Sequence, residues 1–307
     1  MIFKLFLLTI LTILTFATEP ITPIPLSVEV DAKKAALGHQ LFFDPILSRD
    51  DTISCASCHN LQAGGDDNLK YSFGIDGKEG NINAPTVFNA VFNFWQFWDG
   101  RAKTLKEQAA GPVENPVEMG FSFKELIQKL QKSKYNKLFY EAYTDGITKE
   151  NITDAIAEYE KTLITPNAPF DKYLRGDKNA LTQEQKEGYE LFKTKGCISC
   201  HHGINLGGNL YNKFGVVEDA NSTQLGRYNV TKKERDKYYF KVPTLRNIEH
   251  TAPYFHDGRT YDLRKAVLLM AQYQLGREIT DKEVDKIVAF LHSLNGELPK
   301  NIVEPKK

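Results

Sequence analysis

The residues with the clearest chemical meaning are the four cysteines, which form two Cys-x-x-Cys pairs, each followed at once by a histidine. In such a Cys-x-x-Cys-His motif the two thiols add to the vinyl groups of a haem, and the imidazole ligates the iron from one side. The sequence therefore predicts two covalently bound c-type haems. The attaching thiols would be those of Cys55, Cys58, Cys197 and Cys200, and the proximal ligands would be His59 and His201.

Two other uses of these cysteines remain open from the motif alone. Cysteines of an exported chain often form disulfides, and a Cys-x-x-Cys pair can also ligate zinc or act as a redox dithiol. Because every cysteine of the chain belongs to one of the two motifs, haem attachment is favoured over both alternatives.

The sixth position of each iron decides which haem can react, since a second strong ligand gives an electron-transfer site and an open position admits peroxide. No histidine lies between His59 and His201, and after the initiating residue only Met119 and Met270 offer a thioether. Met270 lies in a predicted helix, at a normal distance beyond Cys200 for the sixth ligand of a cytochrome c. We therefore predict His201 and Met270 as the axial pair of the second haem, with core packing as the alternative role of Met270.

Two similar sets of elements position these motifs. The pattern Gly-x-x-Leu-Phe precedes each motif, at residues 38–42 and 188–192, within helices predicted over 32–43 and 182–194. Two copies of one arrangement predict a mostly α fold with two cytochrome c-like domains, each carrying one haem and related by internal duplication.

Each half is also predicted to end in an amphipathic helix. Capping boxes mark the start of the repeated helix in the second half, at Thr182/Gln185, and of its closing helix, at Thr280/Glu283. The apolar faces of the closing helices carry Ile152, Ile156, Tyr159 and Leu163 in the first half, and Val284, Ile287, Val288 and Leu291 in the second.

The N-terminal segment and the overall charge indicate where the protein is located and which partners it lacks. Lys4 and the apolar run after it predict a cleaved signal peptide over 1–17, which would direct the protein to the periplasm. The sequence contains no second apolar run, so we predict no stable insertion into a membrane. A linker predicted at 165–169 divides the rest into domains over 18–165 and 166–307. Lys plus Arg and Asp plus Glu both number 39, a balance that indicates no nucleic-acid partner.

Further segments resemble the signature blocks of the bacterial di-haem cytochrome c peroxidases. They read NAPTVFNA at 83–90, FWDGRA at 97–102, QAAGP at 108–112, VEM at 117–119, TAPYFHDG at 251–258 and MAQYQLG at 270–276. With the two haem motifs, the resemblance covers nearly the whole mature chain. It implies reduction of hydrogen peroxide to water at the N-terminal haem, with electrons that enter at the C-terminal haem from a small cytochrome c or a cupredoxin. It also implies a homodimer.

The resemblance implies roles for single residues as well. Trp98 matches a tryptophan that lies between the haems, and Gln108 and Glu118 match the polar pair over the peroxide-binding face. A carboxylate at that place can move a proton from the inner to the outer peroxide oxygen, while an amide orients the substrate. A calcium ion is implied between the two domains, with oxygen ligands from Asn83, Thr251 and Pro253.

One position departs from the family pattern. Many members close the N-terminal haem at rest with a histidine from a Ser-Ile-Gly-His loop, and the matching residue here is Ile75. Because isoleucine cannot ligate iron, we predict an N-terminal haem that is open in the oxidised enzyme and needs no reductive activation. Lys70 and Tyr71 are nearby side chains that could close it instead.

Two other functions stay open. The same superfamily includes the maturase that oxidises tryptophans of methylamine dehydrogenase and has a tyrosine as distal ligand at its second haem. Met270 at the matching position favours a peroxidase, although Tyr273 lies close by in the sequence. A di-haem cytochrome that only transfers electrons or senses peroxide would have both haems closed, which Ile75 disfavours.

Overall fold

The computed structural model describes residues 19–305, so the predicted signal peptide over 1–17 lies outside the described residues. Within this range the chain is mostly helical, as the sequence predicts, and no helix is long and apolar enough to span a membrane. The helices are α1 Ala32–Phe43, α2 Cys55–Cys58, α3 Leu105–Glu114, α4 Phe123–Gln131, α5 Tyr135–Ala142, α6 Lys149–Lys161, α7 Pro169–Leu174, α8 Gln183–Thr194, α9 Tyr228–Thr231, α10 Leu263–Met270 and α11 Asp281–His292. Strands β1 Tyr211–Lys213 and β2 Tyr239–Lys241 pair antiparallel, with Asn212 opposite Phe240. Short 3₁₀ turns occur at Pro45–Leu47, Ile75–Gly77, Ala90–Phe92, Cys197–Ser199, Glu234–Asp236 and Ile248–His250.

Reciprocal capping bonds fix the starts of two helices. At α8 the backbone nitrogen of Gln185 lies 3.2 Å from Thr182 Oγ1, and that of Thr182 lies 3.0 Å from Gln185 Oε1. At α11 the same exchange joins Thr280 and Glu283. Each bond satisfies an N–H group that has no partner inside the helix. Both predicted capping boxes are therefore confirmed.

The helix before each haem motif packs closely on the closing helix of the same half. A Cβ atom added at Gly38 of α1 would overlap the carbonyl oxygen of Ala155 in α6. A Cβ atom at Gly188 of α8 would overlap the carbonyl oxygen of Lys286 in α11 in the same way. Only glycine allows such an approach of two helix backbones. The repeated Gly-x-x-Leu-Phe pattern thus marks the same kind of helix contact in both halves.

The apolar faces predicted for the closing helices are buried, with two differences. Leu163 is buried but lies beyond the end of α6, which stops at Lys161. On α11 Val288 is only partly buried, and Phe290, which was not predicted on this face, is fully buried. The other residues predicted on the two faces are all buried, namely Ile152, Ile156, Tyr159, Val284, Ile287 and Leu291.

The two ends of the described chain each pack on the opposite half. Near the N-terminus, Ile21 is buried in the core of the second half, and the carbonyl of Pro20 accepts a hydrogen bond from Gly203 N at 2.9 Å. Near the C-terminus, Asn301 O accepts a hydrogen bond from the hydroxyl of Tyr159 in α6 at 2.7 Å. The halves are therefore joined by crossed terminal segments as well as by the chain between them.

The first residue of the predicted linker forms hydrogen bonds with both halves. Thr165 is 1% exposed, and its hydroxyl oxygen accepts hydrogen bonds from Asn89 Nδ2 at 2.7 Å and from Asn247 Nδ2 at 2.9 Å. Residue 165 thus lies in the contact between the halves. The domain boundary there stays a prediction from the sequence.

The close helix contacts predict that two glycine-to-alanine substitutions lower the free energy of unfolding rather than raise it. Alanine in a helix normally stabilises it by up to about 1 kcal/mol relative to glycine. Gly38→Ala and Gly188→Ala should instead lower the free energy of unfolding by about 1–3 kcal/mol, because the added methyl group forces the paired helices apart. Calorimetric melting of the haem-loaded protein measures the effect. Gly80→Ala is the control, since a Cβ atom there meets only Ser72 O at 3.4 Å. A higher melting temperature for either helix variant would contradict the argument.

Candidate functional site

The backbone holds the imidazoles of the two motifs in the same way. His59 Nδ1 lies 3.2 Å from the carbonyl oxygen of Gly65, and His201 Nδ1 lies 3.0 Å from that of Leu206. Because a carbonyl oxygen only accepts, Nδ1 carries the proton and Nε2 keeps its lone pair for a metal. Burial lowers the pKa of both rings, that of His201 to about 4. Both imidazoles are therefore neutral and prepared to ligate through Nε2.

The thiols of the motifs are free and partly buried. Burial raises the pKa of Cys58 and of Cys197 to about 11, so these thiols are protonated at neutral pH. Within residues 19–305 there is no disulfide, and no group of three or more His, Cys, Asp or Glu side chains is placed to hold a metal ion. The disulfide and zinc alternatives gain no support from these residues.

A cavity of about 390 Å³ opens beside the second motif. Its lining includes Cys197, Cys200, His201 and Met270, and much of its remaining wall is apolar. The volume lies in the usual range of cofactor pockets, about 300–1,000 Å³. Two thiols, an imidazole and a thioether around one space are the groups that a c-type haem requires. The structure thus brings Met270 to the same cavity as His201, and its ligand role stays a prediction.

Met270 occupies a distinctive place in its helix. It is the last residue of α10, which continues as the π-helical turn Ala271–Leu275. Such turns are rare and frequently accompany functional sites. Met270 is also partly buried against an aromatic cluster around Trp98. Tyr273 packs on the same cluster but is not among the described residues that line the cavity. The cavity therefore favours Met270 over Tyr273 as the group that reaches a bound haem.

Glu118 and Gln108 adjoin Met119 and Ala109, which belong to the buried cluster against which Cys55 of the first motif packs. Burial raises the pKa of Glu118, while a hydrogen bond from Asn115 and the charge of Arg101 oppose the shift. Asn115 Nδ2 lies 2.6 Å from Glu118 Oε1 and so fixes the carboxylate. Burial raises the pKa of both thiols of the first motif, and the charge of Glu118 adds a smaller contribution in the same direction. Gln108, in α3, makes no side-chain hydrogen bond within the described residues and is free to bind a ligand.

Ile75 is fully buried under the loop that carries Glu118. Its backbone nitrogen donates to Glu118 O at 2.9 Å, and a Cβ atom at Gly120 would overlap Ile75 Cδ1. Lys70 lies against Gly258 of the second half and over the ring of Tyr71. The isoleucine therefore fills space between two loops near the first motif and offers no ligand atom.

Trp98 lies where the two halves meet. Its indole Nε1 donates to Asn83 O at 2.9 Å, and its backbone oxygen accepts from Lys241 N at 2.8 Å. The ring packs with Phe240 and lies edge-on to His256. Trp98 also lines the 390 Å³ cavity beside the second motif, although it belongs to the first half. Trp98 therefore lies at the contact between the halves, and its place between two haems stays a prediction.

The three residues predicted to bind calcium lie around one part of the same cavity. Asn83 Nδ2 donates to Leu69 O at 2.9 Å, which leaves its Oδ1 without a partner in the described chain. The carbonyl oxygens of Thr251 and Pro253 likewise accept no hydrogen bond from the described residues. Three neutral oxygens from both halves are thus available to a hard cation.

Two buried charged residues of the site were missed by sequence reasoning. Asp66 and Lys241 are 1% and 5% exposed, line the cavity and form no ion pair within the described residues. Burial raises the pKa of Asp66 to about 8 and lowers the pKa of Lys241 to about 8. A carboxylate or ammonium group that is buried without a partner is costly, so each of these side chains is suited to an oppositely charged group. The sequence offered little signal, since most charged residues are solvated.

Comparison with known proteins identifies the family. The profile described as di-haem cytochrome c peroxidase matches residues 32–179, and that of cytochrome c matches residues 185–295. The chain is 57% identical over 285 residues to cytochrome c peroxidase Ccp of Escherichia coli, and the match covers 91% of this chain but only 61% of that relative's length. It is 51% identical over 286 residues to cytochrome c551 peroxidase of Nitrosomonas europaea, with 92% of this chain and 85% of the relative covered.

A solved structure supports the fold separately. The MauG-like protein associated with microbial copper homeostasis superposes with a TM-score of 0.81 over 93% of this chain and 97% of the other, at 23% identity. At that identity the likeness concerns the fold alone. The Nitrosomonas match is much closer and covers most of both chains. The chain therefore belongs to the di-haem cytochrome c peroxidase family of bacterial oxidoreductases.

Proposed function

We propose that the chain is a periplasmic cytochrome c peroxidase with two c-type haems, one in each of two duplicated domains. It reduces hydrogen peroxide to water with electrons from a small cytochrome c or a cupredoxin, and acts as a homodimer. The observation that carries this proposal is the difference between the two motifs. The first has Glu118 and Gln108 near it and no ligand atom at Ile75, whereas the second shares its cavity with Met270.

The haems supply the redox chemistry. A bound c-type haem binds peroxide where its sixth position is open and transfers electrons where both axial positions are occupied. The thiols of the motifs would hold each haem, and His59 and His201 would ligate the irons through Nε2. In the second half, the buried ammonium group of Lys241 is suited to the carboxylate groups of haem.

Glu118 provides proton transfer in this proposal. Its carboxylate takes the proton from the inner oxygen of peroxide and returns it to the outer oxygen, so that water can leave. Asn115 holds the carboxylate in place through its 2.6 Å hydrogen bond. Gln108 orients the substrate through its free amide. The raised pKa of Glu118 makes the carboxyl a better proton acceptor than a solvated glutamate.

Trp98 and calcium connect the halves. Trp98 lies against the wall of the second cavity and hydrogen-bonds to Asn83, so it would lie on the path of electrons toward the first haem. Asn83 Oδ1 and the carbonyl oxygens of Thr251 and Pro253 have no other partner in the described chain and fit the hard oxygen ligands of calcium. Calcium would then hold the two halves in register.

The competing functions require different ligands. A maturase-like enzyme that oxidises a protein would use a tyrosine at the second haem, and Met270 rather than Tyr273 lines the cavity. An electron-transferring or peroxide-sensing cytochrome would close the first haem, where Ile75 offers no ligand atom. Both considerations favour the peroxidase.

The role of Glu118 predicts a loss of turnover without loss of haem. Glu118→Gln keeps the side-chain volume and can still accept the hydrogen bond from Asn115, but it cannot carry the proton. Turnover with reduced cytochrome c should fall by roughly 10²–10⁴-fold. The wild-type rate should also fall as the pH drops through the raised pKa of Glu118, and this acid limb should vanish in the variant. Glu114→Gln, at an exposed carboxylate paired with Lys149, is the control. Retention of half the activity in Glu118→Gln would remove Glu118 from this role.

The role of Met270 predicts a change of potential. A thioether ligand raises the reduction potential of haem relative to imidazole. Met270→His should therefore lower the potential of one haem by on the order of 0.1 V, within the roughly 0.8 V that axial ligands span. Spectroelectrochemical titration measures this shift. Leu268→His, at an exposed position of α10, should leave the potential unchanged. An unchanged potential in Met270→His would mean that Met270 only packs.

Because Ile75 offers no ligand atom, we predict that the oxidised enzyme is active without prior reduction. Fully oxidised enzyme should turn over peroxide at once with reduced cytochrome c, at the same initial rate as a pre-reduced sample. Its electron paramagnetic resonance spectrum should include a high-spin ferric signal from the open haem. A lag that pre-reduction removes, or a spectrum with only low-spin signals, would show that another residue closes the site.

A further inference from the structure

Asp66 has a buried carboxylate that the proposed mechanism does not use. The residue is 1% exposed, and its Oδ2 atom accepts no hydrogen bond within the described residues. Its Oδ1 atom has one weak donor, Asn68 Nδ2, at 3.4 Å. No lysine, arginine or histidine of the described chain forms an ion pair with it. The carboxyl can ionise in this position only when a positive charge from outside the described chain binds to it.

Asp66 lies beside the backbone that carries two of the proposed calcium ligands. The amide Nδ2 of Asn68, which reaches Asp66, also donates to His250 O at 2.9 Å and to Ala252 O at 3.0 Å. A Cβ atom at Gly64 would overlap the carbonyl of His250, so the backbones of the two halves touch here. The carboxylate therefore lies beside the carbonyls of His250 and Ala252, in the backbone segment that also carries Thr251 and Pro253.

The hydrogen bonds around this place divide its oxygens into two sets. Asn68 satisfies the carbonyls of His250 and Ala252, whereas those of Thr251 and Pro253 are left without a donor in the described chain. Asp66, Thr251 and Pro253 line the cavity together with Asn83. The oxygens without donors are thus three neutral ones and one carboxylate, and calcium is bound by such mixtures of neutral and charged oxygens.

We propose that Asp66 is a direct, anionic ligand of the calcium ion, together with Asn83 Oδ1 and the carbonyl oxygens of Thr251 and Pro253. The inference rests on the proposed calcium site and adds a charged ligand to it. The carboxylate makes calcium binding tighter than three neutral oxygens alone would, because affinity increases with the charge of the ligands. Calcium in turn offsets the cost of the buried charge.

The first test compares calcium affinities. Calcium-stripped haem-loaded enzyme is titrated calorimetrically with calcium chloride, as wild type, Asp66→Asn and Asp67→Asn. Asp66→Asn should weaken calcium binding at least tenfold. Asp67→Asn removes the same charge one residue away, where the carboxylate only accepts from Leu69 N in a turn, and should stay within about twofold of wild type. Equal affinities for wild type and Asp66→Asn, or no calcium binding by the wild type, would overturn the proposal.

The second test separates a ligand from a structural carboxylate. Without calcium at pH 7, Asp66→Asn should melt within about 1 °C of wild type, because burial raises the pKa of Asp66 to about 8 and the carboxyl that is replaced is then largely neutral. With saturating calcium it should melt at a lower temperature than wild type. A carboxylate needed only for packing would lower the melting temperature in both conditions, and so would a variant that folds poorly; either result overturns the proposal. Neither test uses peroxide turnover, so failure here is distinguishable from failure of the proposed peroxidase activity.

Discussion

The close contact of α1 with α6, and of α8 with α11, constrains everything else in the molecule. At Gly38 and Gly188 one helix backbone touches a carbonyl group of the other, so the two axes cannot move apart without leaving a gap. Each Cys-x-x-Cys-His motif follows the first helix of its pair, and its histidine is partly buried. A backbone carbonyl then takes the Nδ1 proton and fixes the ring. The orientation of each motif histidine is therefore fixed by the backbone, and the two sites differ through the side chains around them.

The two halves meet through polar contacts at defined positions, and the functional residues lie among them. Thr165 is bonded to an asparagine from each half, Asn83 bonds to His256 O and receives the indole of Trp98, and Asn68 reaches across to the 250–252 backbone. Hydrogen bonds of this kind depend on direction as well as distance. A change in the relative orientation of the halves would break several of them together, so the environment of Trp98 depends on that orientation.

The sequence predicted the features that depend on contacts between neighbouring residues, and it missed those that depend on contacts between distant parts of the chain. The cap of α8 at Thr182 and the bounds of α1 follow from contacts within one turn, and the sequence predicted both. The Gly-x-x-Leu-Phe repeat was visible, but its cause, contact with Ala155 and Lys286, depends on chain segments about a hundred residues away. Asp66 was missed for the same reason, since its lack of partners is a property of the folded surroundings. Glu118 was found only through family resemblance, because one glutamate among 39 acidic residues has no local mark.

Because each terminal segment packs on the opposite half, some contacts can form only late in folding. Pro20 and Ile21 pack on a half that is synthesised much later, and Asn301 completes a contact with Tyr159 only after nearly all of the chain has emerged. Contacts between such distant residues must await closure of very long loops, which slows the last stage of folding. The first half can form its own helix pair early, but the surface of α6 around Tyr159 stays exposed until the C-terminal segment packs on it. The proposed haem attachment at the first motif therefore has an interval in which the surrounding structure is still incomplete and accessible.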